Sequence, residues 1–404
     1  MLYRIALRNL TRHRRRSLFA LLAIAFGAVA MLLATGFIEW NLNYGRESTI
    51  RSQLGHIQVT KPGYRDRGVA DPFAYLLPAD SMLIEQLRQL PHVKAVGQRL
   101  SFAGLASHGE STISFVGTGV DAAAERDLSN ALLFNAGTDL APGDNAEVVL
   151  GQGLADNLDV HVGDTLTLVG NTRKGTINAV EVRVKGTFSS ITKSFDDVAL
   201  RLPLATARTL LRADGAHVWV MLLDDTDATD AVMEAMKSQL PASTFEVTPW
   251  YQLSDFYNKT SALFAKQIGV MRIIIGFIIV LSIVNTMTMA VAERTSEIGT
   301  AMALGARRAR ILHQFIAEGV LLGMLGGLAG LAIGLALAPA ISAVGIPMPR
   351  APGMAHGHIA GILVTPRMGV DVLALAFVTA LLASIYPAWK ASRMMIVDAL
   401  RHSH

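Results

Sequence analysis

Polar positions all but vanish from four stretches of the chain, residues 17–38, 273–292, 315–341 and 370–386. Each meets or approaches the roughly 20 apolar residues that an α-helix needs to cross about 30 Å of hydrocarbon. Between the first and second stretches, over residues 40–266, the pattern changes to short runs broken by turn residues, the mark of a water-facing domain. His56-Ile-Gln-Val-Thr60 reads as a strand, 80–90 as a helix, and 93–105 and 111–117 as strands joined by a turn at His108-Gly109. Much later, 218–223 reads as a strand, 227–240 as an aspartate-capped helix and 244–248 as a strand. Two β-α-β-like halves so far apart predict one split, porter-like α+β subdomain with a second, β-rich subdomain inserted at about 120–212. Within the insert, strands are expected at 147–150, 165–169, 179–187 and 198–202, and beyond it 250–267 reads as a helical stalk.

The predicted order is an amphipathic helix at 1–16, a first transmembrane helix at 17–38, the large domain at 39–266 and a second transmembrane helix at 267–292. A charged connector at 293–311 follows, then a third transmembrane helix at 312–341, a loop at 342–369, a fourth transmembrane helix at 370–389 and a tail at 390–404. In the first segment Arg4, Arg8, Arg12 and Arg16 recur on one face, with Leu2, Ile5, Ala6 and Leu10 toward the other. Such a helix can lie along a leaflet against anionic headgroups, and the same arginines serve equally well as a topology signal. Basic residues before an apolar run also mark secretory signals. This run is too long for the apolar core of a signal peptide, so it reads as an uncleaved anchor.

Composition agrees with a membrane protein: 51% of the 404 residues are hydrophobic and 17% are charged. Charge supplies the orientation. Arg4, Arg8, Arg12, Arg14, Arg15 and Arg16 precede the first span, Arg294, Arg307, Arg308 and Arg310 lie in the connector, and Lys390, Arg393 and Arg401 lie in the tail. The loop before the fourth span holds only Arg350 and Arg367. The positive-inside rule places both termini and the connector in the cytoplasm and the large domain outside it. The net charge of +4 averages a basic membrane part and an acidic domain, so it is no argument for nucleic-acid binding. With no cysteine, the outer domain must be held by its core alone, and redox chemistry is excluded.

No catalytic residue emerges. Gly170-Asn-Thr-Arg-Lys-Gly175 has the glycine spacing of a phosphate loop, but Thr176 stands where lysine is required, and a hairpin turn is expected there. Gly151-Gln-Gly153 lacks the third glycine of a dinucleotide fingerprint, and neither His-Glu-x-x-His nor Gly-x-Ser-x-Gly occurs. Met348, Met354, His356 and His358 offer thioether and imidazole donors of the kind copper takes. Pro347, Pro349 and Pro352 around them read instead as a rigid loop, so no metal is assigned, and His402 and His404 read as solvated. In the third span Gly319, Gly323 and Gly327, with Gly326, Gly330 and Gly334, recur every four residues, the spacing that lets helix backbones approach. Asn285 and Thr286 in the second span are expected to bond to neighbouring helices, and Arg272 to reach the outer surface. Glu318, a carboxylate within a span, calls for a partner among the arginines near the cytoplasmic face.

The stretch Glu293-Arg-Thr-Ser-Glu-Ile-Gly-Thr-Ala-Met-Ala-Leu-Gly-Ala306, followed by Phe315-Ile-Ala-Glu-Gly319 and the glycine stripe, resembles the signature of FtsX-like, MacB-type (type VII) ABC permeases. Tyr386-Pro-Ala-Trp-Lys-Ala-Ser-Arg393 and Asp398-Ala-Leu-Arg401 are similar to that family's ending, except that Ile396 or its neighbour stands where a proline is usual. Gly55-His-Ile-Gln-Val59 and Gly117-Thr-Gly-Val-Asp121 are similar to the lipoprotein-releasing LolC/LolE-like members. The resemblance covers essentially the whole chain. It implies a homodimer, or a heterodimer with a paralogue, in the bacterial inner membrane, with a periplasmic outer domain and no nucleic-acid partner.

The same resemblance implies an ABC ATPase that binds ATP and Mg itself, leaving this chain without a cofactor. That ATPase is expected on a separate polypeptide, because only 16 residues precede the first span. The connector becomes a coupling helix, with Arg294, Glu297, Ile298, Met302, Leu304, Gly305, Arg307 and Arg310 as its docking surface. Family members use ATP to move their outer domains. The expected function is therefore extraction or export of lipoprotein or another amphipathic cargo, with a periplasmic carrier or adaptor as a possible further partner. The alternatives are force transmission to a periplasmic hydrolase, tripartite drug or peptide efflux, and a motorless metal-binding or sensory protein.

Overall fold

The computed structural model describes residues 14–68, 70–78, 81–190, 192–350, 354 and 356–394. The expected helix around Arg4, Arg8 and Arg12, the ending at Asp398, and Ile396, His402 and His404 lie outside these residues. The chain forms two compact units, one built on long apolar helices and the other on Asn43–Lys259 with Met348–His358.

In the second unit, ten strands among the described residues form one hydrogen-bonded sheet. They are β1 (Ile57–Thr60), β2 (Val93–His108), β3 (Ser111–Val120), β4 (Leu133–Gly137), β5 (Glu147–Gly151), β6 (Thr165–Asn171), β7 (Ile177–Ser189), β8 (Ala199–Pro203), β9 (Val218–Leu223) and β10 (Glu246–Pro249). Their order is β10-β1-β9-β2-β3-β8-β5-β7-β4, with β6 paired to β2 and β7. The split subdomain and its insert therefore share a sheet. The 16-residue β2 joins them, pairing with β9 through Val93–Arg99 and with β6 through Gly104–Ser107.

The apolar packing nevertheless stays divided. Ile57, Val59, Leu87, Trp219 and Met236 form one core, and Leu150, Leu154, Leu168, Leu200 and Leu210 another. Strand β9, Val-Trp-Val-Met-Leu-Leu, is buried along its whole length, as a central strand covered on both faces must be. Asp121 caps the helix Ala122–Leu128 by accepting from the Ala123 amide, and Asp225 accepts from the Asp227 amide just ahead of Thr229–Gln239. Gly170–Gly175 proves to be the β6–β7 hairpin, closed by a 2.7 Å bond between the Thr172 and Thr176 hydroxyls.

Four helices among the described residues are long and apolar enough to cross a membrane: Ser17–Leu54, Asp255–Glu293, Arg308–Val344 and Pro366–Ser392. They outrun the apolar stretches. The first continues as α-helix to Thr49 and closes with a π-helical turn at Ile50–Leu54. The predicted stalk at 250–267 begins as a separate short helix, Trp250–Leu253, and from Asp255 onward it is continuous with the second span in one helix of 39 residues, about 58 Å at 1.5 Å per residue. Inside the helical unit, Ile24, Leu32, Ile279, Ile283, Phe315, Leu322 and Ala380 are buried together.

The third helix carries two distinct glycine faces. A Cβ on Gly319 or Gly323 would run into Ser384 Oγ or Ala380 Cβ, and one on Gly327 would lie 2.9 Å from Ala376 Cβ, all on the fourth helix. On the other face, a Cβ on Gly326, Gly330 or Gly334 would come within 2.5–2.7 Å of Ile24, Ala25 or Leu32 of the first helix. Removing the side chain permits these backbone approaches, which association in lipid depends on.

Candidate functional site: the connector and its anchors

The second helix stops at Glu293, because Arg294 leaves helical geometry at φ −106°, ψ 16°. A nine-residue helix, Thr295–Ala303, follows. Its end is a Schellman turn: the Gly305 amide donates to the Met302 carbonyl and the Ala306 amide to that of Ala301, both at 3.0 Å. Gly305 takes φ +91°, a left-handed conformation that glycine adopts without a Cβ penalty. Arg307 is extended, and the third helix begins at Arg308.

The connector is held from one end. Arg294 Nη1 donates to both carboxylate oxygens of Glu318, at 3.2 and 3.0 Å, and its guanidinium carbon lies 5.3 Å from the centroid of the Phe315 ring. Gln314 Nε2 donates to the same carboxylate at 3.4 Å. The Glu318 side chain is only 4% exposed and that of Arg294 13%. Ile298 is buried in the helical core, and Met302 packs against it. At the other end Leu304 is 84% exposed, and open space surrounds Gly305.

Of the predicted docking residues, Glu297, Leu304, Gly305, Arg307 and Arg310 thus reach the surface and Met302 is half-buried. Arg294 and Ile298 turn inward and hold the connector. Asn285 lies on the exposed side of the second helix. Arg272 pairs at 2.7 Å with Asp371 of the fourth helix, a partner the sequence reading did not name. In the loop region Met354 bridges to Thr192, and the His358 ring stacks on Tyr44 at 4.4 Å. Among the described residues no group of three or more His, Cys, Asp or Glu is placed to hold a metal.

The domain contains two buried polar networks that sequence reasoning missed. His56 Nδ1 accepts from the Leu223 amide, so the ring proton is on Nε2, which donates to Thr226 Oγ1; Thr226 in turn donates to Glu47 Oε1 at 2.8 Å. Burial lowers the His56 pKa to about 4. In the second network Arg99 and Arg201 converge on Glu125 Oε1, and Arg99 also donates to the Gln53 carbonyl in the π-helical turn. Burial pushes the Glu125 carboxyl up, but the two guanidinium groups outweigh it and the net shift is downward. A single clue was available, the helix-cap pattern at Asp121 that sets Glu125 in the first turn.

Residues 17–239 match the family model of the MacB-like periplasmic core domain, and residues 269–396 match that of the FtsX-like permease C-terminal. A macrolide export ATP-binding/permease protein MacB of Rhodospirillum rubrum is 28% identical over 415 residues, covering 98% of this chain and 59% of that one. Its counterpart in Campylobacter jejuni is 24% identical over 426 residues, covering 98% and 61%. This chain thus spans about three fifths of the length of these relatives. An uncharacterized ABC transporter permease of Methanocaldococcus jannaschii is 23% identical over 415 residues, covering 98% and 96%. The crystal structure of the periplasmic region of MacB from Actinobacillus actinomycetemcomitans is similar at 17% identity and a TM-score of 0.37, over 52% of this chain and 95% of that one. With the first family model alone matching more than half of its residues, the chain belongs to the family of ABC transporter permeases that join a MacB-like periplasmic core domain to an FtsX-like permease C-terminal region.

Proposed function

We propose that this chain is the membrane subunit of an ABC transporter in which hydrolysis by a partner ATPase moves the periplasmic domain. The connector carries the reading. Its free end presents Leu304, an exposed apolar side chain, followed by the exposed Arg307 and by the exposed Arg308 and Arg310 at the start of the third helix. One exposed leucine is ordinary by itself; its place on a defined turn, with exposed arginines following it, between two spans is what supports a docking surface. The positive-inside rule supports a cytoplasmic side for that surface, where ATP is available. On this reading ATP and Mg are bound by the ATPase, both termini are cytoplasmic, and the permease works as a pair, with itself or a paralogue. The protein resides in the bacterial inner membrane.

The cargo in this proposal is lipoprotein or another amphipathic molecule taken from the inner membrane, handed on to a periplasmic carrier or adaptor. The names of the MacB relatives favour a second reading, export of a macrolide-like small molecule. Purification of the full chain from its own membranes tests the first part: an ATPase with complete nucleotide-binding motifs is expected to co-purify, and its absence would sink the proposal. Photocrosslinking from residues 250–266 tests the second part, with acylated proteins expected among the products. Recovery of drug-like molecules alone would shift the assignment to efflux.

A further inference from the structure

We infer that Arg294 and Glu318 are the positioning pair of the coupling device: they make the connector and the third helix turn as one body, so that load on Leu304 passes to the third and fourth helices. The inference deepens the proposed function and rests on it for the identity of the load.

Arg294 is the residue at which the chain leaves the second helix, with φ −106° and ψ 16°. Its backbone is therefore the joint about which the connector would swing, while its side chain grips the third helix at Glu318 through both carboxylate oxygens. A swing at the joint has to drag Glu318 or break a charge pair that is almost wholly buried. Breaking such a pair strands a charge away from water, which makes the contact resist partial displacement. The next residue, Gly319, abuts Ser384 of the fourth helix, with Gly323 and Gly327 continuing the contact at Ala380 and Ala376. Force entering at Glu318 thus reaches two helices in backbone contact.

Apolar packing alone would attach the connector, since Ile298 and Phe315 already belong to the buried core. A carboxylate ten residues into a membrane helix is a costly addition to that attachment. What it adds is direction. One nitrogen, Nη1, is shared between both carboxylate oxygens while the guanidinium carbon lies over the Phe315 ring, so a charge pair and a ring face together set where the guanidinium points, which packing by Ile298 does not. Glu297 contacts Arg294 Nε at 3.5 Å from the exposed side and leaves Nη1 to Glu318.

The absence of native cysteine allows a clean test. Spin labels on cysteines at Leu304 and Leu328, in the full chain in lipid nanodiscs, report the spread of connector positions relative to the third helix. A narrow distance distribution is expected for the parent. Arg294→Ala and Glu318→Gln should each broaden it at least twofold, and the exchanged pair R294E/E318R should restore it. Arg294→Lys, which keeps the charge and loses the planar group over the Phe315 ring, serves if the other single variants do not fold, and intermediate broadening is expected. Unchanged widths in the single variants, or broadening that the exchange does not reverse, overturn the inference. This readout needs no ATPase, so failure of an ATPase to co-purify would remove the proposed function while the distances still decide the pair.

Discussion

His56 donates from Nε2 to the hydroxyl of Thr226 at 2.9 Å, across 170 positions of sequence. Because Nδ1 accepts from the Leu223 amide, the ring must stay neutral for that bond to persist. A second proton would set an N–H donor against the Leu223 N–H.

A pH dependence follows from this geometry. The folded pKa of His56 is about 4, below the ordinary value of 6.5, so between these limits the unfolded chain binds the proton and the native one does not. The contribution of His56 is fully present above pH 6.5 and is lost as pH falls toward 4. Thermal unfolding of the full chain in nanodiscs, followed by tryptophan fluorescence, should show a falling Tm through that window. His217, lowered by burial, and Asp196, raised by it, also titrate. The comparison is therefore parent against His56→Gln: the variant should be less stable at neutral pH and show a shallower fall. Equal slopes would contradict the assignment.

Glu125 offers a larger effect. It is buried between Arg99 and Arg201, on strands from the two subdomains. Removing the carboxylate charge leaves two guanidinium groups without their counter-ion, a change that typically costs about 3–5 kcal/mol. Glu125→Gln should lower the denaturation midpoint sharply. E125L/R201M, which removes one guanidinium group along with the carboxylate and leaves only Arg99 without its partner, should recover part of the loss. A double variant as unstable as E125Q would show that packing, and not pairing, sets the stability here.

The spans and the connector were legible because they depend on composition over 15–20 residues. The end of the first helix was not: Glu39 and Trp40 close the apolar run, yet nothing after them stops a helix, and Glu47 and Arg51 pair one turn apart to support it. That Glu318 needs a basic partner could be read from its place in a span. That the partner is Arg294, with Arg307, Arg308 and Arg310 left exposed, depends on how the connector folds back. The glycine repeat gave the spacing but not the division into two faces, since each face is defined by a helix distant in sequence. The union of the subdomains into one sheet was hidden for the same reason. A strand pattern ends at a predicted boundary, whereas β2 runs on and exchanges partners along its length.

The two glycine faces can be separated experimentally. Gly323→Ala should destabilise the helical unit, because its Cβ would meet that of Ala380. The overpacking cost is about 1–3 kcal/mol. Ala380→Gly in the same chain should recover much of it, whereas it should not rescue Gly330→Ala, whose obstacle is the Ala25 carbonyl oxygen at 2.5 Å. Gly269→Ala on the second helix meets nothing within 4 Å and should be neutral or slightly stabilising. Unfolding in mixed detergent and denaturant provides the measurement. Rescue of both positions by A380G would refute the two-face arrangement.

The exposed end of the connector gives the most direct test of docking. Gly305 at φ +91° tolerates a side chain poorly, and tryptophan there would both strain the Schellman turn and fill the open space beside Leu304. Glu297→Lys reverses a charge on the same exposed side. The double variant G305W/E297K should leave tryptic cleavage of the outer domain unchanged while reducing ATPase association at least tenfold and uncoupling ATP hydrolysis from transport. Gly305→Asn, which tolerates left-handed backbone, should retain most of the association. Full coupling in the double variant would place the docking surface elsewhere. Loss of association with Gly305→Asn as severe as with G305W/E297K would show that only glycine satisfies this turn.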